Sequence, residues 1–355
     1  MSSPQHPSPH SSSASHRTAG DQLPNNDLSF VQRIQLYLHN HPTAVPCLVL
    51  ILAVLFFSSL VGDRFFHPFN LSLVLQQVTI IGVIGIAQTL IILTAGIDLS
   101  VGAIMVLCSV VMGRAAIEFG LPAPVALFAG LLVGALAGMV NGLLVAKVKL
   151  PPFIATLGTW NIFFALNLWY SNSQTIRSQV IDQQAPLLQW LGHTVEIFGA
   201  RIAYSSIFML VLFIVFWYAL NWTAWGRHVY ATGDDPDAAR LAGIRTKRIL
   251  LSVYITAGVV CALAAWVLIG RIGSVSPQAG YTANLDSITA VVIGGTSLFG
   301  GRGSIFGTLI GALIVGIFRN GLALLGVDVL WQEFTVGVLI IVAVSIDQWI
   351  RRVSS

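Results

Sequence analysis

From about residue 43 onward the chain alternates long apolar runs with short polar breaks. The apolar positions follow neither the 3.6-residue spacing of an amphipathic helix nor the strict alternation of a half-buried strand. A helix that crosses a bilayer needs about 20 mostly apolar residues. Ten segments read this way: 43–61, 71–93, 99–115, 122–146, 152–170, 204–220, 249–269, 285–299, 305–325 and 330–349, of which the third and eighth are short. The pattern predicts an all-α, polytopic transmembrane bundle of about ten helices, occupying 43–350 between polar tails at 1–42 and 351–355.

Two interruptions divide the apolar pattern. Leu93-Thr94-Ala95-Gly96-Ile97-Asp98-Leu99-Ser100-Val101-Gly102 separates the second and third segments, and Ile293-Gly294-Gly295-Thr296-Ser297-Leu298-Phe299-Gly300-Gly301 the eighth and ninth. Glycine-broken helices in corresponding places of two halves predict a pseudo-repeat with a substrate path at the membrane midplane. Small residues at helical spacing, as at Gly130, Gly134 and Gly138 or Gly307, Gly311 and Gly316, predict close helix contacts. The polar excursion 171–203 is too short for a domain and reads as a cap, a docking surface or an ordinary connection.

Composition agrees with lipid as the solvent. Charged residues make up 9% of the chain and hydrophobic ones 55%, against about 25% charged in a soluble domain. The net charge of +4 does not point to nucleic acid, because the basic residues are not gathered on one face. They follow the positive-inside rule instead. With a cytoplasmic N-terminus, the inside segments hold Arg17, Arg33, Lys147, Lys149, Arg227, Arg240, Arg245, Lys247, Arg248, Arg302, Arg351 and Arg352. The outside segments hold only Arg64, Arg114, Arg177, Arg201 and Arg271. Ten crossings then return the C-terminus to the cytoplasm. The first forty or so residues, rich in Ser, Pro and His, lack the apolar core of a signal peptide and read as a disordered tail. Its His6, His10 and His16 are not read as a metal site. Cys47, Cys108 and Cys261 lie in apolar stretches without metal-ligand spacing and read as small buried hydrophobes.

The connection between the sixth and seventh segments, 222–248, carries the most ordered polar pattern. Asp234 and Asp235 precede Pro236, a helix start. Asp237 suits the positive end of the helix dipole. Ala238, Ala239, Leu241 and Ala242 make a short helix with small side chains, and Gly243 can end it. Such a helix projecting into the cytoplasm is suited to a groove on a partner; an ordinary connecting helix is the alternative.

At these residues the chain resembles the coupling loop of ABC import permeases. Asp237-Ala238-Ala239, with Gly243 four residues after Ala239, is similar to that family's acidic-Ala-Ala-x-x-x-Gly pattern, with Asp for the usual Glu and no Leu-Pro following. This is the form found in sugar permeases of the ribose type. Residues 93–102 and 294–311 look like other hallmark stretches of the same family, and the likeness covers roughly 45–352. Leu150-Pro151-Pro152-Phe153-Ile154, Arg271-Ile272-Gly273-Ser274-Val275-Ser276-Pro277 and Ile346-Asp347-Gln348-Trp349-Ile350-Arg351 most resemble fructose-importing members. One departure is plain. Relatives place an Arg-Gly pair soon after Thr-Leu-Gly of the fifth helix, whereas here Thr156-Leu157-Gly158 is followed by Trp160, Asn161, Phe163 and Phe164.

The resemblance implies a bacterial inner-membrane permease subunit for a monosaccharide, fructose first and ribose or mannose next. It also implies a periplasmic sugar-binding protein, a second permease copy, and cytoplasmic ATPase subunits docking on a loop that includes Gly226, Ala231, Gly233, Asp237, Ala238, Ala239, Gly243 and Ile244. ATP with its magnesium would sit on those ATPases. The residues agree that this chain has no Walker A loop: Lys147, Lys149 and Lys247 are followed by Val148, Leu150 and Arg248, not Ser or Thr. No Ser/His/Asp, Cys/His or paired-carboxylate arrangement stands out, so no cofactor, metal or covalent chemistry is expected on the chain itself.

Polar groups within the apolar segments are candidates for the substrate path. Asp98 would cost about 2.5–3.5 kcal/mol at the midplane; it reads either as the N-cap of the third helix or as a substrate contact. Arg319 and Glu333 read as an ion pair or a sugar contact. Gln88, Thr94, Ser100, Asn141, Thr156, Asn161, Thr296, Ser297 and Asn320 are neutral partners for sugar hydroxyls or for neighbouring helices. Trp160, Trp169, Tyr170 and Trp331 can stack on a sugar ring or belong to interfacial belts. Rival readings are an ion-coupled secondary transporter using Asp98 or Glu333, an ABC permease for another solute, and a membrane scaffold without transport.

Overall fold

The computed structural model describes residues 43–280 and 282–351, the side chains at 346, 347 and 349–351 excepted. The expected N-terminal tail with its three histidines, and the last four residues, lie outside these. Fourteen α-helices follow one another among the described residues, with one 3-10 turn and one small hairpin. Six helices are long and apolar enough to cross a membrane: α1 (Ala44–Val61), α3 (Pro68–Leu93), α5 (Ala123–Ala146), α8 (Tyr204–Trp222), α11 (Thr246–Ile272) and α13 (Ile305–Leu324). Three apolar helices are shorter or only partly apolar: α4 (Val101–Ile117), α12 (Ala283–Ile293) and α14 (Val329–Arg351). The fifth expected segment forms α6 (Pro152–Ser171).

Helix α3 is the centre of the bundle. From Val78 to Leu93 every residue is buried, as expected of a helix that is apolar on all sides. It packs against α8, α11, α12 and α13. By contrast α1, α5 and α8 carry rows of exposed Leu, Ile, Val and Phe, such as Leu48, Leu55, Phe128, Leu132, Ile207 and Ile214. In water such faces would be an aggregation hazard; in a bilayer they are the solvent-facing surface. Cys108 and Cys261 are buried as expected, but Cys47 is exposed on this outer face of α1.

Glycine decides the closest crossing. Gly134 and Gly138 on α5 meet Gly258 and the Tyr254 carbonyl on α11 so tightly that a Cβ on any of the three glycines would collide with facing backbone. Gly142 sits one turn further along the same seam, against Leu251 and Tyr254. The second stripe behaves alike: Gly307 and Gly311 on α13 abut Gly294 and Ala290 at the end of α12. Gly316 continues it against Val78 of α3.

Both interruptions are real, and both end in the same way. Helix α3 stops with Ala95 in the left-handed region (φ 59°), with Ala95 N–H donating to Ile92 O (2.9 Å) and Gly96 N–H to Ile91 O (3.1 Å). Helix α12 stops with Gly295 at φ 82°, Gly295 N–H donating to Val292 O (3.0 Å) and Thr296 N–H to Val291 O (3.2 Å). Each is a Schellman cap, which satisfies terminal carbonyls without water. The eighth segment is therefore shorter than its apolar run suggested: α12 ends at Ile293, and at about 1.5 Å per residue it rises only some 16 Å, half of a roughly 30 Å hydrocarbon core.

The excursion 171–203 folds over one end of the bundle. It contains α7 (Ser178–Gln184), a 3-10 turn (Pro186–Gly192) and an antiparallel hairpin of β1 (Thr194–Ile197) and β2 (Ala200–Ala203). Phe198 and Gly199, both at positive φ, form its tip. The segment is anchored by a Gln189 amide that donates to Gly273 O (2.6 Å), by Trp266 Nε1 donating to Leu187 O (3.1 Å), and by Arg201 N–H donating to Ser72 Oγ (2.9 Å).

Gly138→Val is expected to force α5 and α11 apart. Overpacking typically costs 1–3 kcal/mol, and here the obstruction is backbone that cannot rotate away. Thermal unfolding of the detergent-solubilised protein should show a clear drop in Tm. Gly158→Val on α6, where a Cβ meets open space, should change it little. Equal melting of the two variants would contradict the packing described.

Candidate functional site

The connection after α8 contains two helices rather than one. The first, α9 (Ala224–Asp234), begins at Thr223, whose Oγ1 accepts from Gly226 N–H (3.2 Å). Asp234 thus ends α9 instead of opening the next helix. The second, α10 (Pro236–Leu241), is opened by Asp235, whose Oδ1 accepts from the Asp237 and Ala238 amides (2.9 and 3.0 Å), with Pro236 at the first helical position. Gly243 closes it at φ 86°. Ile244 N–H donates to Ala239 O and Gly243 N–H to Arg240 O, both 3.0 Å, a third Schellman cap. Around α10, Asp237, Ala238, Arg240 and Gly243 are exposed, Leu241 is 89% exposed, and Ala239 alone is buried. The exposed Asp237–Arg240 ion pair (3.0 Å) contributes little to stability.

If α10 projects, α9 does the opposite. Its Gly226 lies against Leu220, and Gly233 is wedged between the two helix interruptions. A Cβ on Gly233 would collide with Leu93 O and come within 2.8 Å of Gly301 N. At the same point Gly301 N–H donates to Leu93 O (3.0 Å), which joins one interruption to the other. Tyr230, on α9, donates from its hydroxyl to Gly303 O (3.0 Å). Burial pushes this phenol above its ordinary pKa, so it remains a donor. Trp225 Nε1 donates to Ser252 Oγ on α11 (2.8 Å). The exposed helix is therefore attached, through α9, to both broken helices at once.

The first interruption is held by a polar cluster. Asp98, 2% exposed, accepts at Oδ1 from Ser100 N–H and Ser100 Oγ, both 2.6 Å, and at Oδ2 from Asn141 Nδ2 (3.2 Å). Asn141 also donates to Ser100 Oγ (2.8 Å). Asp98 is not the N-cap of α4. That helix starts at Val101, and Asp98, two residues ahead of the N-cap position, tightens the break and ties it to α5. Thr156 Oγ1 on α6 accepts from Leu99 N–H (3.2 Å) and lies 3.1 Å from Ile97 O. Asn284 Nδ2 on α12 donates to Leu99 O (3.1 Å).

The other sequence candidates distribute unevenly. Gln88 is fully buried with both amide atoms unpaired, and Thr296 Oγ1 is buried and unpaired as well. Thr94 bonds locally to Ile91 O (2.8 Å), and Ser297 receives Phe299 N–H at its hydroxyl (3.2 Å). Asn161 lies on the exposed side of α6, bonded to Leu157 O (3.0 Å), away from the Asp98 cluster. Arg319 pairs with Glu333 (2.9 Å), and also with Asp286 of α12 (2.8 Å), a partner the sequence reading missed. Asn320 Nδ2 donates to Asn70 Oδ1 at the start of α3 (2.9 Å). Asn70 and Leu93 are separated by most of α3, about 34 Å of helix. Arg319 and Asn320 therefore stitch the opposite end of the bundle and do not join the break. Asn284 falls just before the expected start of this helix at 285, and Asp286 lies in its polar first turn; neither was among the expected candidates.

Asn141→Leu removes two bonds around a buried carboxylate. A hydrogen bond is worth about 0.5–1.5 kcal/mol net, and a buried group left unpaired costs about 1–3 kcal/mol, so the variant should unfold in detergent at a clearly lower temperature than wild type. Asn161→Leu, at an exposed helix position, should not. Wild-type melting of Asn141→Leu would remove the cluster from its structural role.

A family model described as the permease component of branched-chain amino acid transport systems matches residues 70–344. Among curated proteins, the chain is 56% identical to a fructose import permease protein of Rhizobium meliloti over 93% of this chain and 92% of that one. It is 40% identical to a ribose import permease protein of Bacillus subtilis (82% and 88% covered). It is also 36% identical to a probable ABC transporter permease protein of Escherichia coli (88% and 91%). No solved structure matches the chain. With apolar helices fit for a bilayer, and with relatives alike over nearly their whole length, this chain belongs to the family of transport-system permease components.

Proposed function

We propose that this chain is the membrane-spanning subunit of an ATP-binding-cassette importer for a monosaccharide, with fructose as the foremost substrate and ribose or mannose next. The observation that carries the reading is the seat of Gly233, where the connection bearing exposed α10 rests on both helix interruptions. A partner that pushes α10 must displace Leu93 and Gly301 together. The 56% identity with a fructose import permease supports the choice of sugar.

In this reading about ten apolar segments build the inner-membrane domain, α12 reaching only part of the way across, with both termini cytoplasmic. The two halves are pseudo-repeats, which the matching Schellman caps at Ala95 and Gly295 support. Two copies of the chain enclose the path, and a periplasmic binding protein delivers the sugar. ATP and magnesium are held by separate cytoplasmic ATPases docked on 222–248. ATP binding closes those subunits, and α9 passes the motion to the breaks. An ion-coupled mechanism through Asp98 is disfavoured because its carboxylate oxygens are already engaged by Ser100 and Asn141.

Two tests address the lever. Gly243→Val places a β-branched residue at φ 86°, where the left-handed conformation costs roughly 1–2 kcal/mol, and Asp237→Lys reverses charge in the first turn of α10. Membrane fractions should contain both variants at wild-type amounts while uptake of labelled sugar is abolished; normal uptake would remove α10 as the docking element. Gly233→Val should give an assembled importer that hydrolyses ATP but moves at least tenfold less sugar per ATP. An unchanged ratio would break the proposed transmission.

A further inference from the structure

At the tip of the β1–β2 hairpin two costs fall on one residue. The strands end their pairing at Ile197 and Ala200, so Phe198 and Gly199 form a two-residue turn. Their φ values of 50° and 79° are those of a type I′ turn, which favours Asn, Asp or Gly at its central places. A bulky side chain in the left-handed region is strained. Among the described residues Phe198 is the one aromatic residue found there. It is also 99% exposed. A side chain this exposed packs on nothing within the described chain, so strain and exposure together point to a contact outside it.

The neighbours of the tip set its depth. Strand β2 runs beside the first turn of α3: Arg201 N–H donates to Ser72 Oγ (2.9 Å), and a Cβ on Gly199 would come within 3.9 Å of Pro68, the first residue of α3. With 26 residues α3 rises about 39 Å, enough to cross a roughly 30 Å hydrocarbon core and enter the headgroup layers at its ends. The lipid-facing row of α1 runs up to exposed Leu60. Exposed Phe66 and Phe69 continue it at this end, as does Ile197 beside the tip. Exposed charges of both signs, Asp63, Arg64, Glu196 and Arg201, stand among them. Apolar bodies mixed with charged heads suit the layer between acyl chains and water. The hydrocarbon core would not tolerate the charges, and a free aqueous surface rarely carries such an apolar edge.

We propose that the hairpin tip is an interfacial anchor: Phe198 enters the headgroup and upper acyl region of the adjoining leaflet, about 5–10 Å deep as interfacial segments do, with Ile197, Phe66 and Phe69 along the same edge. The partner is the phospholipid surface itself. Anchored there, β2 holds the segment 171–203 and the start of α8 at a fixed height against α3. The inference goes beyond the importer reading and does not depend on it; it needs only the membrane placement of the apolar helices.

The test places the full-length chain, without partner subunits and one chain to a disc, in nanodiscs of phosphatidylethanolamine and phosphatidylglycerol. Cys47→Ser removes the exposed native thiol, while Cys108 and Cys261 are buried. A nitroxide is attached at Phe198→Cys or, as a water reference, at Leu241→Cys on exposed α10. Oxygen, which concentrates in lipid, should relax the label at 198 about threefold or more over a water-soluble nickel chelate, and at 241 the order should reverse. A label at 198 as open to the chelate as the label at 241 overturns the proposal. If a binding protein then closes that access, the tip is a protein contact, and the proposal falls all the same. Hydroxyl-radical oxidation of the wild-type chain in the same nanodiscs covers the case in which the variants do not fold. Phe198 should be oxidised at least fivefold more slowly than in the unfolded chain, and Leu241 at close to the unfolded rate. Oxidation of Phe198 at the unfolded rate overturns the proposal equally.

Discussion

The structure depends on one constraint: two helices must break inside an apolar bundle without leaving backbone groups unpaired. In hydrocarbon each orphaned amide or carbonyl costs several kcal/mol, so a break survives only where its own geometry or a neighbour supplies partners. Both breaks here close on themselves through left-handed caps at Ala95 and Gly295. What the caps leave open, neighbours fill. Gly301 N–H goes to Leu93 O, Leu99 N–H to Thr156, Leu99 O to Asn284, and the Asp98 carboxylate to Ser100 and Asn141.

The breaks are also held differently from the helices around them. A continuous helix buried on all sides, as α3 is from Val78 to Leu93, moves as a rod. A capped break is held by a few bonds from several different helices. The glycines at 233, 300 and 301 let three chain segments meet at backbone distance, with no intervening side chain to absorb a displacement. Interfaces this close switch between packings more readily than they deform. The exposed helix α10 and the two buried breaks are thereby joined through α9.

The opposite end of the bundle is built for permanence. Arg319 bridges Asp286 and Glu333, Asn320 holds Asn70, and Gln189 and Trp266 fasten the outer segment to α11. Charged and amide bonds of this kind fix the register of α3, α12, α13 and α14. The molecule thus divides into a stitched end and an end where helices are interrupted and joined by glycine.

Much of this was legible in the linear chain. Apolar run length decides helix position when lipid is the solvent, so most helices fall close to where hydropathy put them. The Asp-Pro-Asp-Ala-Ala pattern with Gly243 specified α10 and its caps, because capping is local chemistry. The Arg319–Glu333 pair was readable because charges set in apolar segments need partners. Tertiary structure alone decided the rest. Asp98 has the residue type of an N-cap, yet its partners include Asn141, 43 positions away. Helix α9 was hidden because it lacks an apolar run, even though Thr223 caps its start, and only the wedge at Gly233 shows why it is there. Asn161 and Asn167 are alike in type and lie on the same helix, but one faces outward and the other is buried against Pro277. Sequence sets which groups need partners; which partner each one finds depends on how the helices cross.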